Sequence, residues 1–464
     1  MERQSNVVFM TIDTLRADHV GCYGYFRDTT PAIDQLAAEG VIFKDSFASA
    51  IATGPSYTCM ITGKVAAHTG YYITPFRMPN AEQLDDRIPT LAEVMLQNGY
   101  TTVGVDNMMS WRAHPKHFAR GYNFYINVGQ QPIGNTGRVS SELVTDWTID
   151  WLESYADRRS PFFLFTHYWE PHTPYNQPEP YRTWFSHQSG DRNDLMVKTA
   201  EAGYEYVPGW GTVDSMVEGE QKFIRPYYNE TEKIVSIDLY DGATRYVDTQ
   251  IEQVLEALKD LGLYEDTLII LTGDHGEGLG QNGVWAHGTV YDHTVHVPII
   301  MKHPVLPKGK VVEGYVQHVD LFPTIQEIAG ARQWPNFTYY SDDGDDPTLD
   351  GQSLVEMAAQ GPKIRDRIYL EAGSRRRAVR TQKWKLITDL ESKEEDQTIE
   401  LYNIREDPME ARNLSAAEPQ IASQLRGDMV AWLERFRRKG IEPAQEEAAS
   451  FTCETGELEQ GFYH

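Results

Sequence analysis

Two apolar runs at opposite ends of the first three hundred residues, Val7-Val8-Phe9-Met10-Thr11-Ile12 and Thr267-Leu268-Ile269-Ile270-Leu271, each lead into a carboxylate, Asp13 in one case and Asp274 in the other. An apolar run of strand length with no polar alternation reads as a strand buried on both faces, the kind found in parallel sheets covered by helices. In open sheets of that kind, ligands bind at the carboxyl ends of the strands. The pattern therefore predicts that Thr11-Ile12-Asp13-Thr14-Leu15-Arg16-Ala17-Asp18-His19 and Thr272-Gly273-Asp274-His275-Gly276-Glu277 meet at one edge of one sheet.

The intervening sequence alternates strand and helix in the same sense. Thr30-Pro31 opens a helix with proline in its first turn, Val41-Ile42-Phe43 resumes a strand, Pro89 to Leu96 is helical, and Thr101 to Val105 and Phe162 to Thr166 are strands. From Thr244 to Leu261 the residues Val247, Ile251, Val254, Leu255 and Leu258 fall on one helical face just before the Thr267 strand. The expected fold class is α/β, with a large mixed, mostly parallel sheet. Residues 1–360 would form the catalytic domain, with an irregular insertion near 176–230 acting as a lid. Closely spaced short strands between Arg365 and Leu414, followed by a helix from Ile421 to Phe436, predict an α+β subdomain over 361–440 with a small antiparallel sheet. Residues 441–464 form an acidic tail, and the acidic run Ser341 to Asp346 reads as a solvated linker because it lacks the closing glutamate of a calcium loop.

Charge and cysteine content narrow the partners. A formal net charge of -26 argues against a nucleic-acid polymer or an anionic membrane surface as the main partner. Three cysteines, Cys22, Cys59 and Cys453, are too few and scattered for a disulfide framework or a thiolate metal site. With no apolar leader before Val7 and no apolar run of membrane-spanning length, a cytoplasmic protein is expected.

Asp13, Asp274 and His275 supply hard oxygens and one imidazole, a donor set for a divalent cation, with the Thr53 hydroxyl available as a fourth ligand. Thr53 opens Thr53-Gly54-Pro55-Ser56-Tyr57 ahead of an apolar helical step, so its hydroxyl would stand at a helix start with free backbone N–H groups. A threonine hydroxyl is a poor nucleophile until a metal lowers its pKa. His172, held in a turn between Pro171 and Pro174, and His287, past Asp274 on the same connection, are candidates to bind an oxyanion or protonate a leaving group. His167 is a candidate contact or a buried support for the ligands, and Asn107 and Lys64 are weaker substrate-binding candidates. His293 and His296 read as capping or packing residues.

These segments resemble the sulfatases of the alkaline-phosphatase-like superfamily over roughly residues 5–415. The resemblance is carried by Thr11 to Gly24, Gly99-Tyr100-Thr101-Thr102, Pro171-His172-Thr173-Pro174-Tyr175, Gly273 to Glu277 and the late Arg380 to Leu386 with Glu400 to Asn403. It implies a three-layer sandwich with a small C-terminal antiparallel sheet, a metal-dependent hydrolase, a small-molecule anionic ester substrate and a homo-oligomer. One divalent ion is implied, with manganese ahead of zinc or calcium because His275 replaces the usual amide ligand and Thr14 replaces a second aspartate.

The departures bear on the reaction. Sulfatases carry a formylglycine made from Cys or Ser in a Cys-x-Pro-Ser-Arg motif, and here Thr53 occupies that position. Tyr57 stands where the family has an arginine, and Asn107 and His287 stand where it has lysines. A single hydroxyl removes the geminal diol by which a sulfatase expels sulfate. The first expectation is therefore a hydrolase of phosphodiesters or phosphonate monoesters with Thr53 as nucleophile and Tyr57 shaping the ester pocket or packing beneath it. The alternatives are a sulfatase, working without formylglycine or with its natural Cys or Ser replaced, and a catalytically degenerate metal-binding protein. Trp111, Trp169 and the aromatic stretch 204–228 would line the leaving-group pocket or serve surface packing.

Overall fold

The computed structural model describes residues 4–72, 84–107, 116–128, 141–154, 156, 160–173, 175, 177–186, 236–331, 349–361, 365–390 and 398–437. Trp111, most of the 176–230 insertion including 204–228, the acidic run at 341–346 and the 441–464 tail lie outside the described residues.

Eight strands form the main sheet: β1 (Asn6–Ile12), β2 (Val41–Phe43), β3 (Thr101–Asp106), β4 (Phe124–Asn127), β5 (Phe162–Tyr168), β6 (Thr267–Gly273), β7 (Ile299–Lys302) and β8 (Lys310–Val312). Their order is β8-β2-β7-β6-β1-β5-β3-β4. β1 runs parallel to β5 and β6 on either side, and only β7 opposes its neighbours. The two apolar runs singled out in the sequence are thus central, adjacent and co-directional. Their register sets Ile12 opposite Gly273, so Asp13 and Asp274 leave the sheet at the same level. The backbone keeps this order one residue further: the Asp13 N–H donates to the Tyr168 carbonyl at 2.9 Å, and the Asp274 N–H to the Ile12 carbonyl at 3.2 Å.

Alternate residues of the central strands face two helical layers, which explains why these strands carry so few polar positions. Val8, Met10, Ile12, Leu164, Ile269 and Leu271 pack under α1 (Pro31–Ala38), α4 (Ser141–Ser154) and α5 (Ser236–Asp260). Val7, Phe9, Phe163, Phe165, Leu268 and Ile270 pack under α2 (Thr53–Thr62), α3 (Leu91–Gln97) and α6 (Leu321–Ala329). α3 starts on a capping box between Thr90 and Glu93. Each fully buried side chain of this size contributes roughly 1.5–3 kcal/mol, so both faces of the sheet are strongly specified.

α5 begins about two turns earlier than the apolar periodicity from Thr244 suggests. Its added turns carry Asp238 and Asp241, which are buried against Arg27 at 3.0 and 2.7 Å. Polar residues neutralised by a distant arginine hide a helix from a hydrophobicity reading.

The second sheet comprises β9 (Arg367–Ala372), β10 (Arg376–Thr381), β11 (Trp384–Asp389) and β12 (Ile399–Asn403), all antiparallel and covered by α7 (Pro419–Arg437) through Ala422, Leu425 and Met429. A fifth strand, Ala50–Ile51, comes from the N-terminal half and joins β9 in parallel. It leads directly into Thr53, so the small sheet fixes the approach to α2. Among the described residues no helix is long and apolar enough to cross a membrane.

A buried ionic knot ties the two parts together. The Lys385 ammonium, wholly buried, lies 2.7 Å from both Asp292 and Glu410. Burial pushes the Glu410 carboxyl up from its usual range, and Lys385 opposes that shift. Lys385→Met keeps the stem volume but strips Glu410 of its cation, and breaking such a pair costs about 3–5 kcal/mol. Without the lysine, Glu410 stays buried only by holding a proton that the unfolded chain has already lost above about pH 5. Urea unfolding is therefore expected to show the larger loss at about pH 8 than at about pH 5; equal losses at both would refute the assignment.

Candidate active site

Asp13 and Asp274 stand side by side with no exposure to solvent. Among the described residues, neither oxygen of Asp13, nor Oδ2 of Asp274, has a hydrogen-bond partner. Burial, and then the Asp274 charge, push the Asp13 carboxyl well above the usual range. Orphaned carboxylate oxygens in a dry interior are strongly unfavourable unless a cation completes them.

His275 completes the donor set. Its Nδ1 lies 2.9 Å from the Gly276 carbonyl, which can only accept, so the ring proton resides there and the Nε2 lone pair is left for a ligand. That Nε2 is 3.5 Å from Asp274 Oδ2, 4.0 Å from Asp13 Oδ1 and 3.3 Å from Thr53 Oγ1. One ligand atom from each of Asp13, Asp274 and His275 lies within 4.8 Å of the others. Two carboxylates, one imidazole and one hydroxyl, with their lone pairs turned inward, fit a divalent cation.

The scaffold fixes each member. Thr53 is the first residue of α2, reached from the Ala50–Ile51 strand. Ser56, one turn later, donates its hydroxyl to the Asp274 carbonyl at 2.6 Å and clamps the helix to the loop after β6. His318 donates from Nε2 to the Gly273 carbonyl at 2.9 Å, and burial lowers its pKa to about 4. Gly273 is required because a Cβ there would sit 2.3 Å from the Leu15 carbonyl oxygen. The loop after β1 is braced by Tyr240 of α5, whose hydroxyl donates to the Thr14 carbonyl at 2.7 Å and accepts from the Arg16 N–H at 3.0 Å. Thr14 takes a left-handed conformation, φ 57°, which turns its N–H to Asp274 Oδ1 at 2.9 Å.

A second group adjoins the first. His287 lies with its ring centroid 4.3 Å from that of His275 and 5.2 Å from that of His172. His287 Nδ1 is 3.3 Å from Glu277 Oε1. Burial raises the Glu277 carboxyl to about 7 and lowers the His172 imidazole to about 4, the latter helped by neighbouring His287.

The remaining predicted residues divide. His167 Nε2 lies 3.6 Å from Asp13 Oδ2, and burial lowers its pKa, so it is a neutral neighbour of the ligands. Asn107 is buried just past β3, and neither end of its amide has a hydrogen-bond partner among the described residues. Tyr57 points under the sheet edge: its hydroxyl donates to Thr11 at 2.6 Å and its ring packs edge-on against Phe165 and His167. Lys64 lies beyond the other end of α2, about 15 Å along the helix axis from Thr53, with Nζ 3.5 Å from His68 Nε2. The structure brings Thr53, Asp13, Asp274, His275, His167, His172 and His287 together and leaves Lys64 apart. His293 stacks on Tyr291, and His296 stacks on Phe47, as packing residues.

Three contributors carried no usable signal in the chain. Glu277 stood inside a recognised segment without a role, since nothing local shows that its side chain turns toward His287. Tyr240 and Ser56 act through backbone groups far away in sequence, a relation that only the fold creates.

The chain is similar to known proteins over most of its length. The family described as Sulfatase matches residues 5–331, and that described as N-sulphoglucosamine sulphohydrolase, C-terminal, matches residues 280–439. A sulfatase of Formosa agariphila is 26% identical over 457 residues, covering 87% of this chain and 82% of that protein. Human iduronate 2-sulfatase is 25% identical over 393 residues, covering 71% of this chain and 70% of its own length. The crystal structure of the phosphonate monoester hydrolase of Agrobacterium radiobacter shares the fold with a TM-score of 0.68 at 20% identity, covering 94% of this chain and 96% of that one.

Tyr240→Phe removes the brace under the metal loop and leaves the Thr14 carbonyl and the Arg16 N–H unpaired in the interior. The expected cost is about 1–3 kcal/mol in denaturant unfolding, together with a roughly 10–100-fold weaker affinity for the divalent ion in a metal titration. Unchanged values in both would remove Tyr240 from the site.

Proposed function

The chain belongs to the sulfatase family of the alkaline-phosphatase-like superfamily, related to the phosphonate monoester hydrolases, and from that membership we propose that it hydrolyses small anionic esters, sulfate esters foremost, with Thr53 as the attacking group. The observation that carries the reading is the Thr53 hydroxyl, 3.3 Å from His275 Nε2 and part of the buried Asp13, Asp274 and His275 group. The sulfate preference rests on the family and on relatives named as sulfatases, among them the iduronate 2-sulfatase.

Asp13, Asp274 and His275 would hold the ion, with manganese or zinc suited to the mixed oxygen and imidazole set. When bound, such an ion supplies positive charge that acidifies a nearby hydroxyl and polarises an ester oxygen. The protein's own part is positional. The start of α2 fixes Oγ of Thr53, Ser56 holds that helix to the Asp274 backbone, and burial excludes water from the carboxylates. Thr53 gives up its hydroxyl proton, the bond from Oγ to the central sulfur or phosphorus forms, and the bond from that atom to the alcohol oxygen breaks. The departing alkoxide takes a proton. Water then attacks the same central atom, returning the hydroxyl to Thr53 and releasing the acid anion. His172, Glu277 and His287 adjoin this centre, and the proton for the departing oxygen would come from His287, whose Nδ1 meets Glu277. Asn107, whose buried amide has no hydrogen-bond partner among the described residues, would bind an ester oxygen.

A second reading, hydrolysis of phosphodiesters or phosphonate monoesters, is favoured by one observation: Thr53 offers a single hydroxyl where formylglycine hydrate offers two. A covalent ester on Thr53 must then be cleaved by water at the central atom, a step that phosphorus accommodates more readily than sulfur.

Rates on an aryl sulfate, an aryl phosphonate monoester and a bis(aryl) phosphate, measured side by side with manganese or zinc, decide between the two. The sulfate reading predicts the highest kcat/KM on the aryl sulfate; a faster phosphonate or phosphodiester replaces it with the second. Thr53→Ala is expected to lower kcat on the preferred ester by on the order of a thousandfold or more, with Thr53→Ser retaining a measurable part. Full activity in Thr53→Ala would remove the nucleophile assignment.

A further inference from the structure

The small C-terminal sheet meets the reacting centre at one end. Its strand β9 runs parallel to Ala50–Ile51, with Ala372 level with Ile51, and Ala372 pairs with Arg376 across a hairpin whose loop is Gly373, Ser374 and Arg375. Neighbouring strands stand roughly 4.8 Å apart, so this loop leaves the sheet beside Ala52 and Thr53. We propose that Arg375 forms an anion subsite next to the reacting centre, taking a carboxylate or sulfate group carried by the leaving alcohol of the ester. The proposal rests on the reading of the Thr53 centre as an ester hydrolase.

Three successive arginines stand at the hairpin, and two of them are committed. Arg376 pairs with Glu400 at 2.7 Å and lies over the Tyr291 ring at 5.7 Å. Arg377 turns to the opposite face, as alternation along a strand requires, where it donates to the Tyr72 hydroxyl at 3.2 Å and to the Ser374 carbonyl and lies 3.5 Å from Glu371. Arg375 has no acidic partner among the described residues, and its Nε is shut off from water without a hydrogen bond. An excess of acidic residues, 68 against 42 basic, makes a carboxylate easy to supply, so its absence marks a position left for another anion.

The carboxylates around the hairpin are satisfied elsewhere. Glu400 accepts from the Tyr291 hydroxyl at 2.6 Å and the Tyr402 hydroxyl at 2.7 Å besides pairing with Arg376. Glu371 accepts from the Ala67 N–H at 3.1 Å besides facing Arg377. The Leu390 N–H donates to the Arg375 carbonyl at 3.2 Å and fixes the loop. A guanidinium held with a buried, unpaired N–H is unfavourable until an acceptor arrives, and its planar fork suits a carboxylate or a sulfate.

Packing sets this subsite on the leaving side. Ile51 and Ala372 share one apolar cluster with Val290 and Tyr291, and Ala52 and Val284 pack against it. Residues 284–291 include His287, the proton source for the departing oxygen in the proposed reaction. Arg375 therefore borders the alcohol rather than the end of the ester that faces Asp13 and Asp274.

Binding of unreactive sulfonates tests the subsite without turnover, since a sulfonate presents the oxygens of a sulfate ester but no ester bond to break. The manganese-loaded full chain is titrated calorimetrically with benzenesulfonate, with meta- and para-sulfobenzoate, and with meta- and para-benzenedisulfonate. Wild type is expected to bind at least one doubly charged probe roughly 10–100-fold more tightly than benzenesulfonate. A sulfobenzoate preference identifies a carboxylate as the second group, and a disulfonate preference a second sulfate. Arg375 is partly exposed, so its variants are expected to fold. In Arg375→Ala, and in Arg375→Met, which keeps most of the stem, the preference is lost; Arg375→Lys restores part of it. Equal affinities or no binding in wild type, or a preference kept in both Arg375→Ala and Arg375→Met, overturns the subsite. Turnover is read separately: failure of wild type to cleave an aryl sulfate or an aryl phosphonate removes the hydrolase reading, while the affinities still report on Arg375.

Discussion

The structure turns on the mutual repulsion of two carboxylates, Asp13 and Asp274, held side by side in a dry interior. Burying one carboxylate costs several kcal/mol even after relaxation, and burying two together costs more. A chain organised solely for stability would place hydrophobic groups there, as it does at most positions along β1 and β6. The arrangement is intelligible when the pair shares a cation, because the same oxygens that lack hydrogen-bond partners among the described residues then become its ligands.

The remaining architecture serves to keep those oxygens converged. Parallel pairing of β1 and β6 brings the two aspartates level. A glycine at the end of β6 lets the Leu15 backbone pass close overhead. α5 props the loop after β1 through Tyr240, and Ser56 locks α2 onto the Asp274 backbone, which places the Thr53 hydroxyl beside His275. Even the small C-terminal sheet takes part, since its parallel partner Ala50–Ile51 is the segment that delivers Thr53. In the proposed function, rigid strand ends carry the candidate cation ligands and a helix N-terminus carries the attacking hydroxyl, which suits chemistry that depends on position more than on motion.

Much of this was legible in the chain because its signals are local. Apolar runs of strand length, a helical stripe before Thr267 and acidic residues at strand ends follow from sequence neighbours alone, and they located the central sheet and the Asp13, Asp274 and His275 group. Tyr57 shows where that reasoning stops. Its position in the Thr53 segment suggested either an ester pocket or packing, and only the three-dimensional arrangement shows its hydroxyl on Thr11 beneath the sheet edge. Lys64 follows Thr53 closely in sequence, yet the rise of α2 carries it to the far end of the helix. Glu277, His318 and Tyr240 act through contacts with segments distant in sequence or through the direction of one side chain, and neither is encoded in residue spacing. The early turns of α5 were hidden for a similar reason, since Asp238 and Asp241 look solvent-exposed until Arg27 is placed against them.

The most direct test of the central claim is anomalous scattering from a manganese-loaded crystal of the full chain, recorded near the manganese absorption edge. The account predicts a peak bounded by Asp13, Asp274 and His275, with the Thr53 hydroxyl oxygen at a coordination distance of roughly 2.0–2.3 Å. A map with no peak among these residues, or with the Thr53 hydroxyl turned away from the ion, would contradict it.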